Sequence, residues 1–128
     1  MRLLLDSHAL LWMLSGDDRL SGLARESITT KADEIYVSAA SAWEIATKHR
    51  LGKLPSASAL ATNFQEFIER AGFRPLPITV AHAQLAGGME GAHKDPFDRM
   101  LIAQALLENL QLVSNETAFD GFGVSRLW

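Results

Sequence analysis

A chain of 128 residues, 48% of them hydrophobic, is long enough for one compact domain with a real core and too short for two comfortable ones. Its formal net charge of −3 excludes a global positive field of the kind that advertises nucleic-acid binding, so such a partner has to be argued from local patches. With no cysteine there is no disulfide framework, no thiolate metal site and no cysteine nucleophile, which suits a reducing cytoplasm.

The start, MRLLLDSHALLWML, imitates a signal peptide, with Arg2 followed by leucines. Asp6 and His8 interrupt the apolar stretch, however, and no small-residue cleavage site follows. No run is apolar for long enough to span a bilayer. The expectation is a single cytoplasmic domain over residues 1–128, without a membrane partner.

RLLLD (residues 2–6) is a short apolar run ended by an acid, as in a buried strand. SHALLWMLSG then has helical spacing and stops at Gly16, with Trp12, Met13 and Leu14 as core or a partner-facing stripe. Residues 21–32 form a second helical segment. EIYVSAA from residue 34 is β-branched and aromatic, a strand, and SAWEIATKHRLGKL behind it is helical. LPSAS breaks the chain before one further helix, ALATNFQEFIERAG, which Gly72 ends. FRPLPI is a short strand whose two prolines assign it to a sheet edge. TVAHAQLAG is helical and GMEGAH a flexible loop. PFDRMLIAQALLENL is the strongest helix of the chain, with Pro96 in its first turn. QLVSN from residue 111 is a buried strand, and GVSRLW adds a last one.

Strands alternating with helices imply a parallel sheet covered on both faces. In such folds the ligand site lies outside the carboxyl ends of the strands. Taken singly, the acids have structural explanations. Asp6 suits the N-cap of the first helix, Ser41 and Glu44 the S-x-x-E capping box of the third. Asp95 before Pro96 suits an N-cap with Asp98 in the first turn, where the helix dipole favours negative charge, and Glu116 could begin a short helical turn. Capping, however, does not require the acids to meet. Asp6, Glu44 and Glu116 follow strands one, two and four, and the helix opened by Asp98 starts at the same edge. A cluster of carboxylates repels itself without a cation, and oxygen ligands of this kind suit Mg²⁺, with Mn²⁺ as a substitute.

Other chemistry has little support. There is no G-x-x-x-x-G-K-[ST] and no G-x-G-x-x-G. Ser7, Ser38, Ser41 and Ser114 have no base that spacing identifies. His8, His49, His82 and His93 lack zinc spacing and read mostly as surface or loop residues, His8 and His93 being those that flank acids. The basic run KHRLGK places Lys48, Arg50 and Lys53 after Glu44. It is either a solvated face or a hold on a phosphodiester backbone beside the metal.

LLLDSHALLW, VSAASAWEIATKHRLGKL, HKDPFDRMLIAQA and LVSNETAF, in this order, resemble the PIN-domain ribonucleases, specifically the VapC-type toxins of bacterial toxin–antitoxin pairs. The resemblance runs over essentially the whole chain. It implies an α/β fold, a three-layer α/β/α sandwich around a short, mostly parallel sheet. It further implies Mg²⁺-dependent endonuclease activity on RNA, a homodimer, and a small antitoxin that blocks the site. By position, Asp6, Glu44 and Asp98 correspond to the family's first three acids, while Glu116 stands where the family usually has aspartate. Asp6 and Asp98 would then bind metal directly, Glu44 and Glu116 would orient water or a second ion, and Asp95 would be a supporting acid and helix cap. Two alternatives stay open: a metal-dependent phosphatase or phosphoryl-transfer domain, and a metal-stabilised binding module without catalysis.

Overall fold

The structure, a computed structural model, describes residues Met1–Trp128. Five strands, β1 (Arg2–Leu5), β2 (Glu34–Ser38), β3 (Arg74–Leu76), β4 (Gln111–Val113) and β5 (Arg126–Leu127), form one sheet in the order β3-β2-β1-β4-β5. Every pair is parallel. The helices are α1 (Ser7–Ser15), α2 (Gly22–Glu26), α3 (Ala39–Arg50), α4 (Ser58–Thr62), α5 (Phe64–Arg70), α6 (Val80–Gly88) and α7 (Pro96–Glu108).

Central strand β1 explains the layering. Its Leu3, Leu4 and Leu5 are all fully buried, because successive side chains point to opposite faces and both faces are covered. Leu3 and Leu5 join a cluster with Leu10, Ala24, Ile45, Leu60 and Ile68, drawn from α1 to α5. Leu4 joins a second one with Leu101, Ile102 and Ala105 of α7 and with Phe119. The result is a three-layer α/β/α sandwich. β3, which carries Pro75, lies at the edge, where a missing N–H costs least. No helix is long and apolar enough to cross a membrane.

Three local expectations are corrected. The segment read as one helix over residues 59–72 is two, because Asn63 adopts φ −130° and ψ 45° and serves as C-cap of α4 and N-cap of α5. Thr62 Oγ1 bonds back to the Ser58 carbonyl, a contact that bends helix ends. The capping box at Ser41 and Glu44 does not form. β2 runs straight into α3, so Ser38 is the extended residue and its hydroxyl accepts from Ala40 N–H at 2.9 Å. Ser41 and Glu44 lie inside the helix, buried. Of the four histidines, read mostly as surface or loop residues, His82 is buried in α6. Its Nδ1 accepts from Thr79 N–H while Thr79 Oγ1 accepts from His82 N–H, and Nε2 lies 3.0 Å from Glu108 Oε1.

Trp12 packs partly buried against the core. It stacks on His8, meets Trp128 edge-on, and carries the Arg19 guanidinium over its face.

Candidate active site

Parallel strands send the chain out of β1, β2 and β4 at one edge. The return helix α7 begins at that edge because it runs back to feed β4.

Asp6 is the first residue past β1. Its N–H donates to the Val113 carbonyl at 3.1 Å, which ties it to the end of β4. Its Oδ1 caps α1 by accepting from Ala9 N–H at 2.7 Å. The carboxyl is only 5% exposed, and burial raises its pKa above the usual aspartate range. The Ser114 hydroxyl, the Ala9 amide and nearby His8 oppose that rise, while the charge of Glu44 adds to it.

Glu44 projects from α3 and is also buried, at 6%. Ser7 Oγ lies 2.5 Å from Glu44 Oε1 and 3.0 Å from Ser41 Oγ. Having one proton, Ser7 donates to the carboxylate and accepts from Ser41. The other oxygen, Oε2, takes the Lys48 ammonium at 2.6 Å, one helical turn on.

Asp98 sits in the first turn of α7. Asp95 caps that helix, its Oδ1 accepting from Phe97 N–H at 2.9 Å and Asp98 N–H at 3.2 Å. Asp98 Oδ2 meets His93 Nε2 at 2.8 Å. Burial is the largest influence on Asp98 and raises its pKa to about 6. The bond from His93 opposes this, and the charges of Asp95 and Glu44 reinforce it. The charge of Glu44 therefore acts on both Asp6 and Asp98.

The loop that carries His93 is strapped down by Arg99. Its guanidinium donates to the carbonyls of Ala86 (2.8 Å), His93 (2.9 Å) and Met89. The His93 ring stands edge-on to Phe119 and Phe122. Gly91, at φ 141°, lies so close beneath Phe122 that a Cβ there would stand 2.5 Å from its ring.

Glu116 is different. It is exposed, its side chain makes no hydrogen bond, and only its backbone N–H is held, by Ser114 Oγ at 3.0 Å. It is not among the main influences on Asp6 or Asp98. Of the basic residues after Glu44, Lys48 pairs with that acid while staying partly exposed, whereas Arg50 and Lys53 are exposed and form no ion pair.

The donor set fits a hard cation in chemistry: buried carboxylate oxygens in excess of the positive charge beside them. It does not form a closed cage, since no three His, Asp or Glu side chains converge on one point. Each acid is held by a protein donor instead: Asp6 by Ala9, Glu44 by Ser7 and Lys48, Asp98 by His93.

Beside the acids, α3 and α7 open an apolar cleft of about 260 Å³ lined by Trp43, Ile78, Ala86, Phe97 and Met100, with Lys94 among its polar residues. Trp43 is 62% exposed and meets Phe97 edge-on, ring centroids 4.9 Å apart. Sequence reasoning missed Trp43, the strap at Arg99, and the pairing of Ser7 and Lys48 with Glu44. Only the last had a signal, the i,i+4 spacing of Glu44 and Lys48.

Residues 3–124 match the PIN domain family. Ribonuclease VapC16 of Mycobacterium tuberculosis (strain ATCC 25618 / H37Rv) is 46% identical over 50 residues, 39% of this chain and 36% of that protein. The match thus spans little more than a third of the relative. Among solved structures, VapBC2 from Rickettsia felis, bound to a DNA fragment from its promoter, superposes with a TM-score of 0.70 at 15% identity over 99% of this chain and 98% of that one. A toxin–antitoxin complex from Klebsiella pneumoniae gives 0.64 at 17% identity over 90% and 87%. FitAcB from Neisseria gonorrhoeae gives 0.62 at 18% over 100% and 97%. At such identities these structures speak for the fold. The match over residues 3–124 carries the assignment, and the chain belongs to the PIN domain family.

Proposed function

We propose that this protein is a Mg²⁺-dependent endoribonuclease acting in the cytoplasm as the toxin of a toxin–antitoxin pair. One observation carries the reading: Asp6, Glu44 and Asp98, from three separate elements, are gathered at the carboxyl edge of the sheet, and two of them have raised pKa values there. Structural elements alone gain nothing from that arrangement, because each carboxylate disfavours its neighbour. The local identity with a VapC ribonuclease supports the same reading.

Asp6 and Asp98 would hold the ion, and Glu44 and Glu116 would orient water. When bound, Mg²⁺ supplies Lewis acidity, lowering the pKa of a water and countering the charge that develops on a phosphate. The chain's own work is positioning. Ala9 N–H fixes Asp6, His93 Nε2 fixes Asp98 through Oδ2, and the Asp95 cap aims the first turn of α7. Burial keeps bulk water from Asp6, while Asp98 stays partly open to solvent. Exposed Arg50 and Lys53 are free to meet the RNA backbone. A small antitoxin blocking the site and a homodimer complete the proposal; a structural neighbour that is a toxin–antitoxin complex supports the first.

The test is incubation of purified protein with mixed single-stranded RNAs, with and without Mg²⁺, beside Asp98→Asn. Cleavage that needs Mg²⁺ and is lost in the variant is expected. A phosphatase would instead release phosphate without shortening the chains. The exposed, unbonded Glu116 favours a metal-stabilised module without catalysis as second reading, and intact RNA under all conditions would select it.

A further inference from the structure

Among the three acids only Glu44 is bonded to a permanently charged cation, Lys48. Its ammonium lies 2.6 Å from Glu44 Oε2, while Ser7 takes Oε1. Both oxygens of Glu44 are therefore engaged by protein donors. The pair also spans a boundary, for the Glu44 side chain is 7% exposed and that of Lys48 is 35%. Asp95 and Asp98 attract the same ammonium from the start of α7. Lys48 thus stands where it can offset several carboxylates at once, and a route to solvent is open behind it.

A divalent ion brought among the same carboxylates would face that ammonium at short range. Like charges in a partly buried pocket repel strongly, since the effective dielectric there is well below that of water. A carboxylate that turns toward a dication also gives up part of its bond to a lysine. The two cations are alternatives rather than companions.

We propose that Lys48 is the pocket's built-in counter-cation, competing with a divalent metal ion for Glu44 and released toward solvent when the pocket is loaded. This rests on the metal-dependent reading above and adds the residue that sets how much metal the protein requires. It also explains why the carboxylates stand as they do without converging on one point: Glu44 is turned to an internal cation. In the family-like basic run KHRLGK, Lys48 then differs in role from Arg50 and Lys53, which have no acid to hold them.

The experiment is calorimetric titration of Mn²⁺ into wild type, Lys48→Met and Lys48→Arg at one pH and ionic strength, with circular dichroism to establish folding. Lys48→Met is expected to bind Mn²⁺ about tenfold more tightly than wild type and Lys48→Arg about as wild type does. Equal or weaker binding by folded Lys48→Met overturns the proposal and leaves the metal-dependent reading standing. Absence of Mn²⁺ binding by both proteins overturns both. Should Lys48→Met not fold, the ¹⁵Nζ resonance of Lys48 in the wild type decides. Titration with Mg²⁺ is expected to shift it and speed its hydrogen exchange, and an unchanged resonance at high Mg²⁺ overturns the proposal.

Discussion

His93 and Asp98 meet at 2.8 Å although one belongs to a loop and the other to a helix. Asp95, between them in sequence, caps the helix, and Arg99, just after, straps the loop to α6 and α7. Three constraints thus aim one carboxylate, and each can be removed separately.

Titration of Asp98 gives the first prediction. Its folded pKa is raised, by burial first, from 3.8 to about 6. Between these values the folded protein binds more protons than the unfolded chain, so stability falls as pH rises through the window. In chelator, the urea midpoint of the wild type should decline from about pH 4 to about pH 6, with Asp6 contributing in the same direction. Asp98→Asn should flatten that decline. A wild-type midpoint that instead climbs over this range would contradict the assignment.

The Asp95 cap separates two neighbouring acids. Asn accepts the same backbone N–H bonds, so Asp95→Asn should keep most of the stability, whereas Asp95→Ala should cost about 0.5–2 kcal/mol in urea unfolding. Asp98 has no neutral substitute toward a hard cation. RNA cleavage measured against Mg²⁺ concentration should show Asp98→Asn far more impaired than Asp95→Asn. Equal loss in the two variants would place Asp95 among the catalytic acids.

Asp6→Asn should abolish cleavage while leaving the fold intact. Asn retains an oxygen for the Ala9 N–H, and removal of the charge relieves repulsion from Glu44. Its thermal midpoint in chelator should therefore equal or exceed that of the wild type. Full cleavage by the purified variant would end the metal-ligand assignment of Asp6.

Arg99→Ala removes three bonds to backbone carbonyls at once. Charged hydrogen bonds are worth roughly 1.5–3 kcal/mol each, but these carbonyls can partly rehydrate, so a net loss of about 2–3 kcal/mol is expected. Limited proteolysis should then cut between residues 88 and 94. Arg99→Lys should restore little, because one ammonium lacks the planar fork that reaches three carbonyls. Unchanged proteolysis of Arg99→Ala would show that the loop holds itself.

At Gly91 the backbone and the packing make the same demand. Gly91→Ala would put a methyl group into the Phe122 ring at a φ of 141°. Overpacking typically costs about 1–3 kcal/mol, and φ strain adds to it. Phe122→Ala in the same chain should recover only the packing part, as read by urea unfolding of both variants.

Strand and helix order, the parallel sheet, the edge position of β3 and the acids after strands one and two were legible in the chain, because each follows from local pattern. Three apolar residues before Asp6, prolines in FRPLPI and Pro96 after Asp95 carry their meaning within a few positions. The split at Asn63 was not legible, since its apolar spacing continues through the break. Nor was Ser38 as the cap of α3, because how far β2 extends depends on its pairing with β1 and β3. Partnerships decided only in three dimensions form the rest: Ser7 with Glu44, separated by 37 positions, Ser114 beside Asp6, and Trp43 against Phe97. Spacing along a chain predicts a contact only within one element. Contacts between elements depend on how the layers close over Leu3, Leu4 and Leu5, and that packing is what brings three of the four acids to one edge of the sheet and leaves the other, Glu116, in solvent.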